Sequence, residues 1–206
     1  MNAAERRRLS KLLSLALRHD PAALGVELDP RGFCAVDPLV EAVSRRLGFA
    51  VSRADIEALA APPARQSPAA RRSGATKDTA KTRFELEGDF IRAGHGHSLP
   101  IVGYRPCVPC GPLYHATVRS ALPAIRLQGL RAMARQKVHL SHDRAITLEA
   151  ARRRSRDTVL IQVDVARAFL AGVGFYESAD PRIVLSDDLD PRLLWHLEQA
   201  SAITAP

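Results

Sequence analysis

The amino-acid sequence predicts an α+β protein built from two lobes. Residues before about position 98 combine three helical patterns with one hairpin, whereas the later residues alternate short apolar strands with short helices. A stretch rich in proline, alanine, serine and basic residues, 61–82, interrupts the first half and lacks apolar periodicity. We therefore place the first lobe at residues 1–98, with a flexible basic insertion at about 62–80, and the second at residues 99–206.

The first two helices are predicted from apolar spacing and from the residues at their ends. Leucines at helical spacing run up to Leu17, and Asp20-Pro21 should end this helix after His19. Asp37-Pro38 predicts the start of the second helix, with aspartate as the capping residue and proline at the first helical position. Gly48 suits the end of that helix, because glycine readily adopts the left-handed backbone found there.

The third helix and a hairpin complete the first lobe. Ser52 to Asp55 resembles a capping box with aspartate in the place of glutamate, and it opens a short helix. Residues 26–36 indicate two short extended pieces around a Pro-Arg-Gly turn, and residues 83–93 predict a hairpin that turns at Glu87-Gly88-Asp89. Three helices and a hairpin make up a winged helix, a fold often used on nucleic acids. A small helical domain of another purpose remains the alternative.

The second lobe is predicted from short apolar strands with helices between them. It contains no G-x-G-x-x-G turn after a strand and no G-x-x-x-x-G-K-[ST] motif, which disfavours a doubly wound nucleotide-binding fold and a P-loop. The pattern therefore indicates a mixed α+β lobe. The predicted strands are LYHAT, KVHLS, TVLIQVDV and RIVLS, and the predicted helices lie near 118–128, 143–154 and 165–171.

Composition limits the function classes. The 206 residues carry a formal net charge of +8, and 46% of them are hydrophobic, which excludes disorder as the main state. No run of about 18 apolar residues occurs, so a membrane span is excluded. Three cysteines cannot all pair with one another, which points to a reducing compartment, and we expect a cytoplasmic protein. From Pro62 to Arg83, six basic residues oppose one aspartate, so this segment should add salt-sensitive attraction to RNA.

Arginine and histidine recur at conspicuous positions. Arg18-His19 closes the first helix, Arg92 ends the hairpin before the loop AGHGHS, and three arginines at 152–154 precede the strand TVLIQVDV. If these residues converged, they would form an anion-binding site, although each alone is more often a solvated surface residue. Cys107 and Cys110 form only half of a zinc site, and we expect no metal.

Six ordered blocks of the sequence closely resemble one enzyme family, the RNA 2′-phosphotransferases. This NAD-dependent family removes the splice-junction 2′-phosphate from tRNA. The resemblance covers nearly the whole chain apart from residues 62–80 and the last few, and it implies an N-terminal winged-helix RNA lobe and a C-terminal, ADP-ribosyltransferase-like NAD lobe. The blocks are LSKLLSLALRHDPAALGVELDPRGFCAVDPLV, RFELEGDFIRAGHGHS, LYHAT, IRLQGLRAMARQKVHLS, ARRRSRDTVLIQVD and FYESADPRIVLSDDLDP.

The resemblance also implies site residues. The family's essential arginines and histidine correspond to Arg18, His19, Arg92 and Arg154, with Arg153 as the alternative by one register, and the first three are expected to bind the RNA 2′-phosphate. Three features depart from the family: His95 stands for a glutamine, Ala116 stands for a glycine, and the segment 62–80 is longer than expected. The motifs that line the family's NAD pocket imply binding by Tyr114, His115, Ala116, Thr117, His139, Leu140 and Ser141.

The implied reaction transfers an internal RNA 2′-phosphate to NAD. It passes through a 2′-phospho-ADP-ribosylated RNA intermediate and yields 2′-hydroxyl RNA, ADP-ribose 1″,2″-cyclic phosphate and nicotinamide. The expected partners are 2′-phosphorylated RNA and the co-substrate NAD, and the expected state is a monomer away from membranes. Two alternatives stay open: an ADP-ribosyltransferase that caps nucleic-acid terminal phosphates, and a winged-helix regulator that binds nucleic acid.

Overall fold

The computed structural model describes residues 1–61, 83–153 and 155–199. The predicted basic insertion at about 62–80 and Arg154 lie outside the described residues. The chain divides into two compact units, Met1–Gly103 and Tyr104–Pro206, whereas the sequence places the boundary after residue 98. Each unit combines helices with its own β-sheet, which confirms the predicted α+β class. None of the described helices is long and apolar enough to cross a membrane.

The first unit packs three α-helices with a three-stranded antiparallel sheet of order β1-β3-β2. Leucines of the first helix and apolar residues of the hairpin share one buried core, in which Leu9, Leu13, Phe84 and Ile91 are almost fully buried. The elements are α1 (Ala3–Ala16), a 3-10 helix (Pro21–Leu24), β1 (Phe33–Ala35), α2 (Val36–Leu47), α3 (Arg53–Ala60), β2 (Phe84–Glu87) and β3 (Phe90–Ala93).

The first helix ends earlier than predicted. Helix α1 stops at Ala16, and Leu17 to His19 form a turn in which the amide of His19 donates to the carbonyl of Leu15. Asp20 leaves the helical conformation because a residue before proline is disfavoured there, and its side chain instead caps the following 3-10 helix. Arg18 and His19 therefore lie in a turn after the helix and not in its last turn.

The starts of the next elements were predicted with mixed success. Helix α2 begins at Val36 with no side-chain cap, so the prediction of Asp37 as its N-cap is wrong. The amide of Val36 donates to the carbonyl of Asp89, a tertiary bond that local sequence does not reveal. The capping box at Ser52 and the hairpin turn after Glu87 are confirmed. Of the two extended pieces around residue 30, only the second is a strand.

The second unit is built on a six-stranded antiparallel sheet of order β7-β8-β5-β4-β6-β9. All four predicted strands are present, but strands β7 and β9 were not predicted. The short α4 and α6 and the longer α5 lie near the predicted positions. The elements are β4 (Leu113–Val118), α4 (Leu122–Gln128), β5 (Val138–Ser141), α5 (Arg144–Arg152), β6 (Thr158–Val163), α6 (Val165–Leu170), β7 (Phe175–Glu177), β8 (Ile183–Ser186) and β9 (Leu194–Gln199).

Gly129 makes one close backbone approach possible in this unit. Just after it, Leu130 and Leu189 exchange two backbone hydrogen bonds of 2.9 Å and are both buried. Gly129 itself has φ +82° and ψ −169°, and a Cβ added there would overlap the carbonyl oxygen of Leu189. A side chain at this position must therefore displace backbone that belongs to the core.

Replacing Gly129 by alanine should lower the free energy of unfolding by about 3 kcal/mol or more, because steric overlap adds to the unfavourable backbone conformation. Gly172→Ala is the matched control: Gly172 has φ +80° but no atom within 4 Å of an added Cβ. The control should cost only about 1–2 kcal/mol. Urea-induced unfolding of both variants measures the difference, and equal losses would contradict the proposed overlap.

Candidate functional site

The turn after α1 and the loop after β3 are fastened together, and this brings the predicted residues of the first unit into one place. The amide of Ser98 donates to the carbonyl of Arg18 at 3.0 Å, and the Ser98 hydroxyl lies 2.9 Å from Nδ1 of His19. Gly96 lies against the Arg18 side chain, since a Cβ added there would be 3.7 Å from Cδ and Nη1 of that arginine. The small loop residues thus allow close contact with the Arg-His turn.

Arg92 is held by cross-strand neighbours on both sides of β3. Glu85 on β2 is its register partner, and Oε2 of Glu85 accepts from Nε and Nη2 of Arg92 at 2.9 and 2.7 Å. On β1, Phe33 is also opposite Arg92, and the guanidinium carbon lies 4.7 Å from the centroid of the phenyl ring. The third nitrogen, Nη1, lies 3.4 Å from the carbonyl oxygen of Arg31. Contacts across neighbouring strands therefore set the position of this cation.

His97 shows that the predicted cations converge. Its side chain is 2% exposed, and within the described part of the chain neither ring nitrogen has a hydrogen-bond partner. Burial, together with the positive charges of Arg18, Arg92 and His19, lowers the pKa of His97 to about 4. Three groups that were predicted to share one anion site therefore act electrostatically on a single neutral imidazole.

The fourth predicted residue, Arg154, lies outside the described residues. Its alternative, Arg153, follows α5 and donates to Glu149 at 3.3 Å in an exposed ion pair. The structure therefore describes one of the two arginines between which the register choice lies. The assignment of Arg154 rather than Arg153 as the fourth site residue stays a prediction.

The second unit has a pocket of about 400 Å³ beside β4, α4 and β5. Of the predicted NAD-binding residues, His115, Thr117 and His139 line it. Lys137, the first residue of the predicted KVHLS motif, lines it as well, together with Arg131 and Arg135, which were not predicted to bind NAD. A pocket that combines three cations with two imidazoles suits a ligand that carries negative charge.

Backbone carbonyls orient both histidines of this pocket. Nδ1 of His115 donates to the carbonyl of His139 at 3.1 Å, and Nδ1 of His139 donates to the carbonyl of Lys137, also at 3.1 Å. Because a carbonyl oxygen only accepts hydrogen bonds, each Nδ1 carries a proton. In the neutral imidazoles, Nε2 is consequently the nitrogen that can accept a hydrogen bond.

Lys137 is held in place by Asp187 and Tyr176. Its Nζ atom donates to Asp187 at 2.5 Å and sits 4.1 Å from the centroid of the Tyr176 ring. Burial would lower the pKa of Lys137, but the hydrogen bonds to Asp187 and Tyr176 outweigh it and raise the pKa. The ammonium group is therefore a fixed positive charge at one side of the pocket.

The other predicted NAD-binding residues lie elsewhere in the same strands. Tyr114 lines a separate open depression with Arg144 and Arg182. Leu140 is buried in the core of the unit, and the buried Ser141 accepts from the amide of Asp143 just before α5. These three side chains are not among the lining residues of the pocket, and neither is Ala116, which lies between His115 and Thr117 on β4.

Two polar partners of the predicted site residues, Ser98 and Glu85, were not predicted from the sequence. Ser98 is the last residue of the loop AGHGHS, but no role was predicted for it. Glu85 was predicted only as part of the hairpin and not as a partner of Arg92. The register of the hairpin could have indicated Glu85 as the neighbour of Arg92. Across the described ranges, no group of three or more histidine, cysteine or acidic side chains is placed to hold a metal ion.

The chain is similar to one enzyme family and to several of its members. Residues 4–188 match the family model described as RNA 2′-phosphotransferase, Tpt1 / KptA family. A protein of Streptomyces griseus is 39% identical over 91% of this chain and 94% of its own length. A protein of Pyrobaculum aerophilum is 38% identical over 94% of this chain and 83% of its own length. A protein of Thermococcus kodakarensis is 34% identical over 84% of this chain and 88% of its own length. Each is named "Probable RNA 2′-phosphotransferase".

The buried imidazole should make stability depend on pH in a defined window. Above pH 6.5, His97 is neutral in the folded and unfolded states and contributes nothing; below it the unfolded state binds the proton first, so stability falls down to a pH of about 4. The free energy of unfolding should drop by up to about 3 kcal/mol more in the wild type than in His97→Gln.

Urea unfolding in phosphate-free buffer, from about pH 7 to about pH 4.5, measures this difference. The acidic residues titrate in both proteins, so the comparison isolates His97. Parallel pH profiles for the two proteins would show that the imidazole is not held neutral.

Proposed function

Because the chain belongs to the RNA 2′-phosphotransferase, Tpt1 / KptA family, we propose that it transfers the 2′-phosphate of an RNA to NAD. The products would be 2′-hydroxyl RNA, ADP-ribose 1″,2″-cyclic phosphate and nicotinamide. We further propose that the first unit is a winged-helix RNA lobe and the second an ADP-ribosyltransferase-like NAD lobe. Three helices with a three-stranded sheet support the first assignment, and the antiparallel sheet with its cationic pocket supports the second.

One observation carries the proposal: Arg18 and His19 contact Gly96 and Ser98, which flank the buried His97, and the charge of Arg92 acts on the same imidazole. Like charges at short range repel one another, so such a cluster is suited to a ligand with more than one negative charge. A phosphate monoester carries about −1.5 to −2 charges at neutral pH and accepts bidentate arginine contacts. We assign the binding of the RNA 2′-phosphate to this cluster.

The pocket of the second unit has groups that fit NAD. Arg135 and Arg131, which also pairs with Asp188 at 3.1 Å, can contact a diphosphate, while the oriented ring of His115 offers a hydrogen bond to a ribose hydroxyl. When bound, NAD supplies an electrophilic ribose carbon and a neutral leaving group. The residues of this chain then have to hold the two substrates and orient the phosphate toward the ribose carbon. They need not supply a general base, because a phosphate nucleophile is already an anion.

His19 has the position of a proton donor in this scheme. The RNA 2′-oxygen needs a proton when it leaves the phosphate, and histidine is the side chain that most readily exchanges one near neutral pH. Its Nδ1 faces the hydroxyl of Ser98, which leaves Nε2 as the ring atom assigned to the substrate. Arg154 is proposed to contact the same phosphate or the ribose.

The direct test incubates a 2′-phosphorylated oligonucleotide with NAD and the protein, and follows nicotinamide release and loss of the phosphate. Arg18→Ala and Arg92→Ala should slow turnover by roughly a hundredfold or more while leaving NAD affinity nearly unchanged, since only the phosphate contacts are lost. Arg45→Ala, an exposed arginine on α2, is the control and should retain activity. The same assay on Arg153→Ala and Arg154→Ala decides between those two registers.

The products separate the alternatives. Absence of nicotinamide release would indicate a nucleic-acid-binding regulator and contradict the proposed reaction. An ADP-ribosylated nucleic acid as the final product would favour an enzyme that caps terminal phosphates.

Ser98→Ala should lower kcat about tenfold with little change in KM, because the imidazole of His19 loses the group that orients it. The backbone bond from residue 98 to Arg18 remains, so the loop should stay in place. Ser98→Thr keeps the hydroxyl and should restore most of the rate. An equal loss from Ser98→Ala in a His19→Asn background would show that Ser98 does not act through His19.

A further inference from the structure

Two carboxylates alternate along β2, and each is paired with an arginine beside the same phenyl ring. Glu85 binds Arg92, and Glu87 binds Arg31 at 3.0 Å. Both guanidinium carbons lie 4.7 Å from the centroid of the Phe33 ring. The two ion pairs thus share a strand, a residue type and an aromatic neighbour, but only Arg92 is among the charges that surround His97.

The two pairs differ in burial. The Arg92 and Glu85 side chains are 15% and 24% exposed, whereas those of Arg31 and Glu87 are 50% and 61% exposed. Water screens an exposed pair and leaves its side chains mobile, while a partly buried pair keeps a more defined geometry. Glu85 is therefore placed to fix an orientation, and Glu87 is not.

The Glu85 carboxylate binds one particular edge of the Arg92 guanidinium. Nε and Nη2 both donate to Oε2, so this edge is turned toward β2. The phenyl ring of Phe33 covers a face of the same group. Nη1 also donates to the carbonyl of Arg31 at 3.4 Å, so the remaining N–H groups of Nη1 and Nη2 define the direction in which Arg92 can approach an anion.

A carboxylate beside a phosphate site also carries an electrostatic cost. The negative charge of Glu85 offsets that of Arg92 and repels a dianion, so its presence cannot be explained by tighter phosphate binding. It can be explained by orientation, because only a group held in the right geometry speeds a reaction beyond what binding provides.

We propose that Glu85 is a positioning residue for the reaction: it holds the Arg92 guanidinium so that the remaining N–H groups of Nη1 and Nη2 are directed at the 2′-phosphate of the RNA. This inference rests on the proposed function and names a residue that the resemblance does not assign. Glu85 acts through Arg92 and does not itself contact the substrate.

Replacing Glu85 by glutamine tests this proposal, since it removes the charge and preserves the shape. We expect kcat with 2′-phosphorylated RNA and NAD to fall about tenfold, because the guanidinium loses its fixed direction. The Kd of the same RNA, measured without NAD, should stay unchanged or decrease, because a repulsive charge is removed. Glu87→Gln is the matched control and should leave both quantities within about twofold of the wild type.

A double-mutant cycle identifies the route of the effect. Arg92→Lys keeps a positive charge but lacks the planar fork, so Glu85→Gln should cause no further loss of kcat in that background. If Glu85→Gln does not fold, as judged by circular dichroism, Glu85→Asp makes the same test by moving the carboxylate back by one methylene.

The outcomes separate this inference from the proposed function. A wild-type protein without turnover contradicts the proposed function itself. An active wild type with unchanged kcat in Glu85→Gln overturns the positioning role, as does an equal loss in Glu87→Gln or a full further loss in the Arg92→Lys background. A fall in kcat with RNA binding weakened in parallel would also overturn it, because that result marks a binding residue.

Discussion

The repulsion among like charges around His97 is the constraint on which the candidate site depends. Like charges in a partly buried site repel one another more strongly than they do in water, because the local dielectric constant is lower. The first unit offsets this with a partly buried carboxylate on Arg92, a phenyl face beneath the same group, and a neutral imidazole at the centre. The hydrogen bond from the Ser98 amide to the Arg18 carbonyl holds the turn and the loop together against that repulsion.

The second unit fixes its charges by a different means. Its histidines are oriented by the main-chain carbonyls of His139 on β5 and of Lys137 just before that strand. Lys137 is held by Asp187 and Tyr176, and Gly174 is required beside them because an added Cβ would overlap both side chains. Main-chain carbonyls and the pairing of Lys137 therefore set the polarity of this pocket, whereas the cationic cluster combines a turn–loop contact at Arg18 and His19 with cross-strand contacts at Arg92.

Local signals in the sequence predicted some of this architecture, and long-range contacts decided the rest. The capping box at Ser52 and the hairpin turn involve residues close in sequence, so their patterns were sufficient. The start of α2 depends on a bond between Val36 and Asp89, and β7 has only three residues, too few for a periodic pattern. The predicted Arg18, His19 and Arg92 do converge, but Ser98 and Glu85 gained their roles only from tertiary contacts.

A site that transfers a phosphate has to hold that group before and after the transfer. Contacts that are equally strong throughout lower the free energy of the bound substrate and of the transition state alike, and they leave the chemical step no faster. A cluster of unpaired arginines would act mainly in this way, through net charge. An arginine whose direction is set by a carboxylate and a phenyl ring contributes geometry instead, at the expense of some attraction for the phosphate. The pairing of Arg92 with Glu85 is the arrangement expected where orientation of the phosphate matters more than the strength with which it is bound.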